Sequence, residues 1–303
     1  MMHLSARTWQ WWVLLSAASA GTSGWGRASF DQRQWLKTVR ENTIRTIWKR
    51  GGAVINGWLG IPSSVAAENM AQAQWDGLTV DLQHGLVDYQ TAVTMMQAIA
   101  TVGTPTMCRV AWLEPGIIMK LLDAGAWGIV CPMINTRAEC EHFVGACRYP
   151  PRGYRSFGPV RAQWYCGPDY FKNINDSVIT MAMIETKQAM ENLEDILAVP
   201  GLDSIYIGPN DLAISLGYGP GSVPTDKVVL DAIKYIVETA KKRKIYAGIH
   251  CGSTKMAKEM VALGFQYVTL LADNAFLATA AKNAVAEMRE DAPAVGKAAG
   301  SSY

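Results

Sequence analysis

Between about Gly51 and Asp291, short apolar runs rich in β-branched residues alternate with helical stretches, and the alternation repeats eight times. Continuous apolar runs suit strands buried on both faces, and parallel strands need a helical crossover to bring the chain back. The pattern therefore confines this segment to a βαβ architecture with a parallel sheet. The predicted strands are Ala53 to Leu59, Gly77 to Asp81, Thr106 to Val110, Gly128 to Pro132, Val178 to Glu185, Ser204 to Gly208, Tyr246 to His250 and Gln266 to Leu271. The predicted helices are Ser63 to Ala73, Tyr89 to Thr101, Pro115 to Asp123, Arg137 to Cys147, Lys187 to Leu197, Asp226 to Lys242, Thr254 to Leu263 and Asn274 to Met288. Eight strands in about 240 residues fit a (β/α)8 barrel, for which about 250 residues is typical. An open doubly wound sheet is the rival. No Gly-x-Gly-x-x-Gly follows the first strand and no phosphate-binding loop is present, so nucleotide binding by such a sheet has no support.

Composition excludes further classes. Half of the 303 residues are hydrophobic and 18% are charged, which rules out a collagenous or mainly disordered chain. The 28 basic and 26 acidic residues leave a formal charge of only +2, so no global field exists to hold nucleic acid or an anionic membrane. Small molecules are the expected partners. Six cysteines without a C-x-x-C pair read as reduced, packed thiols rather than a disulfide framework or zinc site.

Residues 1–30 stand apart: they carry no Asp or Glu, and their apolar stretch from Trp9 to Ala20 ends in Ala18-Ser19-Ala20. That stretch resembles a signal peptide and is too short for the roughly 20 residues of a spanning helix. Residues 1–50 are thus read as a leader or disordered prefix with the start of an N-terminal helix, 51–291 as the barrel, and 292–303 as a flexible tail. A cytoplasmic location is expected, with export or an organelle as the alternative if the leader is a targeting signal.

In a parallel barrel, chemistry belongs at the C-terminal strand ends, where the βα loops surround one cavity. The polar residues there are Trp58, Asp81, His84, Arg109, Glu185, Asn210, Asp211 and His250. Glu185 follows the apolar run Thr180-Met181-Ala182-Met183-Ile184; an ionised carboxylate there needs a cation, and a metal would serve. Asp211 stands at the start of a short helix, where a cap or first-turn acid is the ordinary reading. His84, three residues after Asp81 and before a turn-forming Gly85, is either structural or catalytic. His250 has a similar position without a nearby acid. Arg109 requires an anion: a substrate carboxylate or enolate oxygen, or a structural pair with Asp81 or Glu185. The Gly145 to Gly158 segment reads as a long loop between the fourth and fifth strands, of the kind that covers active sites.

These residues resemble the metal-dependent pyruvate aldolases of the HpcH/HpaI type, from about Asn56 to Leu277. The matching stretches are Gly57-Trp58-Leu59-Gly60, Asp81-x-x-His84, Leu121-Leu122-Asp123-x-Gly125, Arg148-Tyr149-Pro150-Pro151-x-Gly153-x-Arg155, Ile184-Glu185-Thr186 and Ile207-Gly208-Pro209-x-Asp211-Leu212. The resemblance implies a (β/α)8 barrel of the phosphoenolpyruvate/pyruvate-binding type that reversibly cleaves a 4-hydroxy-2-oxo acid to pyruvate and an aldehyde. It implies Glu185 and Asp211 as ligands of a divalent ion, Mg²⁺ or Mn²⁺ with Co²⁺ as a substitute. Arg109, beside Asp81, would stabilise the enolate oxygen, and His84 would act as base with Asp123 holding it. Trp58, Met183 and the Gly208, Pro209, Asn210 and Asp211 turn would contact substrate. A homo-oligomer, hexameric by the same resemblance, is implied too. Asp123 closes a helix that runs back from the catalytic face, so it would have to serve a neighbouring subunit. Met183 stands where relatives carry Gln, and Gln83 where an acid is frequent. The rival readings are a lyase or decarboxylase acting on oxaloacetate or a CoA ester, and a non-catalytic carboxylate-binding barrel.

Overall fold

The computed structural model describes residues 40–221 and 224–290. The leader, most of the 1–50 prefix and the 292–303 tail lie outside them. Eight strands close into a barrel in chain order: β1 (Val54–Leu59), β2 (Gly77–Asp81), β3 (Thr106–Arg109), β4 (Gly128–Cys131), β5 (Ile179–Met183), β6 (Ser204–Ile207), β7 (Tyr246–Cys251) and β8 (Tyr267–Leu270). Every neighbouring pair is parallel, and β8 closes on β1 with Val54 opposite Tyr267. The expected closed (β/α)8 barrel is the fold.

The helices are α1 (Thr43–Lys49), α2 (Ser64–Ala71), α3 (Tyr89–Ile99), α4 (Pro115–Asp123), α5 (Arg137–Cys147), α6 (Val160–Cys166), α7 (Tyr170–Ser177), α8 (Lys187–Glu191), α9 (Leu193–Leu197), α10 (Pro209–Ser215), α11 (Lys227–Lys242), α12 (Thr254–Leu263) and α13 (Asp273–Glu290). Several begin at side-chain caps directly after a βα loop. Ser63, Asp88 and Ser253 accept from Ala66, Thr91 and Met256 N–H groups, and Thr136 forms a reciprocal capping box with Glu139. Each cap satisfies an otherwise unpaired N–H and fixes where its loop must end.

Two cores result. One lies between the barrel and its outer helices, and contains Leu78, Ile129, Phe143, Ile205 and Ile236. The other fills the barrel interior with Val54, Trp58, Met107, Val130, Met181, Tyr206 and Tyr267, and its lower end is plugged by Ile44 and Trp48 of α1. Trp48 stacks on Tyr246 at 4.3 Å and donates to Gln266 C=O at 2.8 Å. All six cysteines are free and buried, as expected.

Three local expectations change. The single helix Lys187 to Leu197 is two, because Asn192 leaves helical geometry, where its side-chain amide donates to Asn135 C=O at 2.8 Å, a tertiary anchor far away in sequence. The interval between β4 and β5 contains the short helices α6 and α7. The Gly145 to Gly158 segment is no active-site cover. It follows α5, so it is a helix-to-strand connection at the opposite end of the barrel, where Arg148 donates to Val178 C=O and to Asp203 at 2.7 Å each.

The last helix is unusual. From Leu277 to Arg289, α13 is exposed on every side, although it carries Leu277, Val285 and Met288. Only its first turns reach the barrel, where Phe276 packs near Trp75, and Ile55 on β1 stays 48% exposed. Asp273, at the start of α13, accepts from Gly60 and Ile61 N–H at 2.9 and 3.0 Å. Among the described residues no helix is long and apolar enough to cross a membrane.

Candidate active site

Period-two alternation brings Trp58 of β1, Asp81 at the end of β2 and Arg109 at the end of β3 to the same rim of the barrel. Arg109 forks onto Asp81, Nε to Oδ1 at 2.7 Å and Nη2 to Oδ2 at 2.6 Å, and its guanidinium lies 4.8 Å from the Trp58 ring centre. The open question of the Arg109 partner is thus answered by Asp81. Trp58 Nε1 and the Gln83 N–H donate to the same carboxylate at 3.1 and 3.0 Å. Burial opposes the Asp81 charge, but Arg109 and these donors outweigh it and hold the carboxyl below its ordinary range. A buried, bidentate pair of this kind fixes the guanidinium in place while leaving it positive.

Across the rim, Glu185 sits two residues beyond β5 and is 2% exposed. Its Oε1 accepts from the Met133 N–H at 2.9 Å, presented by a residue with φ of +56°. Burial pushes the Glu185 carboxyl up to about 7; Met133 works against that, and Asp211 adds to it. Asp211 lies in the first turn of α10 and is exposed at the mouth. Between the two acids is Gly208: a Cβ there would come within 2.5 Å of Glu185 Oε2 and 3.6 Å of Asp211 Oδ2, and 3.2 Å from the Met183 methyl. The missing side chain leaves a cradle walled by both carboxylates. Two carboxylates, one buried at an energetic cost that a cation would relieve, fit a divalent ion with oxygen ligands, leaving other positions to substrate and water. Among the described residues no group of three or more His, Cys, Asp or Glu gathers to hold a metal. Zinc-type closure is therefore not offered.

The remaining candidates separate. His84 is exposed at the rim, on a loop whose Gly85 cannot be replaced cheaply, since a Cβ would sit 2.2 Å from Asp81 C=O. Asp123 is not beside it. It ends α4, which runs back from the catalytic rim, and pairs with Arg155 at 2.6 Å. One protomer does not bring His84 and Asp123 together. Asn210 is exposed and spends its Oδ1 on the Gly221 N–H at 3.0 Å, while Pro209 is buried. Met183 is buried at the end of β5.

Sequence reasoning missed Tyr206 and undervalued His250. Tyr206 stacks on Trp58 at 5.6 Å, and its hydroxyl lies 3.2 Å from His250 Nδ1. The available signal was alternation: on β6 and β7 both residues fall in the register that faces the barrel interior. The Met133 N–H had none, because a positive φ at a non-glycine leaves no mark in the sequence.

The profile of the HpcH/HpaI aldolase/citrate lyase family matches residues 57–280. Among curated proteins, the chain is 40% identical over 248 residues to the hydroxypyruvate/pyruvate aldolase of Rhizorhabdus wittichii, covering 82% of this chain and 99% of that one. It is 36% identical over 260 residues to a 4-hydroxy-2-oxo-heptane-1,7-dioate aldolase of Escherichia coli, covering 84% and 98%. Among solved structures, an HpcH/HpaI aldolase/citrate lyase family protein from Burkholderia cenocepacia superposes with a TM-score of 0.76 at 29% identity, covering 82% and 99%.

Proposed function

The chain belongs to the HpcH/HpaI aldolase/citrate lyase family and is a carbon–carbon lyase of the aldolase type, and on that premise we propose that it reversibly cleaves a 4-hydroxy-2-oxo acid to a pyruvate-type acid and an aldehyde. The observation that carries this reading is the buried Glu185 facing Asp211 across the bare Gly208, on the same rim as a fixed Arg109. Glu185 and Asp211 would hold a divalent ion, Mg²⁺ or Mn²⁺ with Co²⁺ as a substitute, which would supply Lewis-acid polarisation of the substrate C2 oxygen. Arg109, pinned by Asp81, adds positive charge where that oxygen becomes negative as the C3–C4 bond breaks. His84 takes the proton of the C4 hydroxyl, directly or through a water; the electron pair left on that oxygen forms the aldehyde C=O, and the pair of the C3–C4 bond passes into the enolate. The substrate carboxylate is assigned to the Gly208 to Asp211 turn, and Trp58 and Met183 to the walls.

The same reading makes the enzyme a homo-oligomer whose active site takes Asp123 from a neighbour. Exposed apolar residues support it at both places that would have to meet. Leu86, 82% exposed, and Trp112, 55%, lie on the rim loops near His84; Phe157, 59%, and Trp164, 76%, lie on the face that carries Asp123. Large apolar side chains left this exposed mark association surfaces. A hexamer is the assembly that the resemblance implies. The direct test is release of pyruvate from a panel of 4-hydroxy-2-oxo acids, with EDTA and with Mg²⁺, Mn²⁺ or Co²⁺ added back. Metal-dependent release is expected; none from any acid under any condition would overturn the proposal.

A further inference from the structure

The barrel interior holds a hydrogen-bond chain that this reaction does not use. Asn56, Thr79, Tyr267 and Thr269 are fully buried and Tyr206 is 1% exposed, in a space that barrels ordinarily fill with branched aliphatic side chains. Asn56 Oδ1 accepts from the Tyr267 hydroxyl at 2.7 Å and from Thr79 at 3.1 Å. Its amide nitrogen is thereby aimed at Thr269 Oγ1, to which it donates at 3.0 Å. Thr269 is also a hydrogen-bonding neighbour of the Tyr206 hydroxyl; having accepted from Asn56, it has its own hydrogen to give there. A Tyr206 oxygen that accepts from Thr269 then has its own hydrogen for His250 Nδ1, 3.2 Å away. Each buried group is satisfied when the chain runs in this direction.

The direction decides the state of the histidine. An imidazole that accepts at Nδ1 carries its single proton on Nε2. Burial, reinforced by the Arg109 charge, lowers the His250 pKa to about 4, with Asp81 acting the other way; the ring is neutral at ordinary pH. His250 is half-buried and meets the Trp58 ring edge-on at 5.5 Å, on the same rim as Arg109. With Nδ1 engaged inward by Tyr206, Nε2–H is the group left for the mouth. A neutral donor is poorly matched to a carboxylate or an enolate oxygen, which Arg109 and the Glu185–Asp211 site already serve, and the aldehyde oxygen belongs to His84. The matching group is an uncharged hydroxyl.

We propose that His250 is a specificity residue whose Nε2–H, oriented through Asn56, Thr269 and Tyr206, donates to a hydroxyl on C3 of the 2-oxo acid, so that a 3-hydroxylated donor is preferred to pyruvate. The proposal rests on the aldolase reading above. A methyl group in that place leaves the buried N–H without a partner, which is how polar sites reject analogues that lack the hydroxyl.

The experiment measures kcat/KM for hydroxypyruvate and for pyruvate with one fixed aldehyde, and takes the ratio. His250→Phe, which keeps the aromatic edge against Trp58, should lower the ratio by about ten- to thirtyfold. Tyr206→Phe, which leaves the imidazole in place but frees its tautomer, should lower it by about threefold. Nitrogen NMR of the labelled imidazole at neutral pH should find His250 protonated on Nε2 alone in the native protein and mixed in Tyr206→Phe. An unchanged ratio in His250→Phe overturns the proposal, as does an imidazolium or an Nδ1–H form in the native protein. If the native protein couples neither donor, the aldolase reading fails. Calorimetric titration of the Mn²⁺-treated protein then decides for His250: tighter binding of hydroxypyruvate than of pyruvate, lost in His250→Phe, sustains the proposal, and equal binding refutes it.

Discussion

Replacing Glu185 with Gln should stabilise the metal-free protein, and by an amount the site itself sets. In the folded chain the Glu185 carboxyl is raised from 4.5 to about 7 by burial and by Asp211. Between those two values the folded state keeps a proton that the unfolded chain has released, so stability falls as pH rises through the interval and the full cost is present above it. At about 1.4 kcal/mol per pH unit, the cost is about 3 kcal/mol. Glutamine carries no charge, and its Oε1 can still accept from the Met133 N–H. Urea unfolding in EDTA should therefore find Glu185→Gln about 3 kcal/mol more stable than the parent at pH 8 and equal to it near pH 4.5. Other titrating groups are common to both proteins and cancel. With a divalent ion at about a thousand times its Kd the order reverses, since the parent gains about 4.1 kcal/mol by mass action and the variant does not. A variant no more stable than the parent at pH 8 without metal would refute the account of Glu185 as a charge waiting for a cation.

Arg109→Met should cost about 3–5 kcal/mol, because it strands the buried Asp81 carboxylate; a loss below about 1 kcal/mol in urea unfolding would show that the pair is not what holds the rim. Gly208→Ala should weaken Mn²⁺ binding by at least about tenfold in calorimetry, since its Cβ would come within 2.5 Å of Glu185 Oε2; an unchanged Kd contradicts the cradle. Inactive His84→Ala and Asp123→Ala proteins, mixed under conditions of subunit exchange, should recover activity as some interfaces regain an intact pair. No recovery despite demonstrated exchange would place Asp123 outside the chemistry.

Much of the barrel can be read from residues because its strands are short apolar runs, and the rim can be read because polar side chains interrupt those runs at their ends. Glu185 after Thr180 to Ile184 and Arg109 within Met107 to Val110 are anomalies that demand a partner. Which partner is a three-dimensional fact: Asp81 could be named as one option for Arg109, but only the adjoining register of β2 and β3, Asp81 opposite Arg109, makes the pair bidentate. Alternation places Tyr206 inside the barrel, but an aromatic on a β-strand looks like ordinary core until its hydroxyl is seen to have a neighbour. The break at Asn192 depends on the Asn135 carbonyl, 57 residues away, and local helix propensity carries no trace of it. The Arg-rich segment after α5 was misplaced for a simpler reason: a connection that follows a helix ends at the face opposite the chemistry.

Asp273 gives the barrel a latch. Its carboxylate gathers the N–H groups of Gly60, Ile61 and Asn274, and so ties the exit of β8 to the exit of β1 where the first and last staves of the hoop meet. An ordinary barrel clamps that seam from outside with its final helix; this one clamps it at the rim with one side chain. The ties at this seam involve only the first residues of α13, so the exposed length of that helix from Leu277 to Arg289 takes no part in holding the hoop shut.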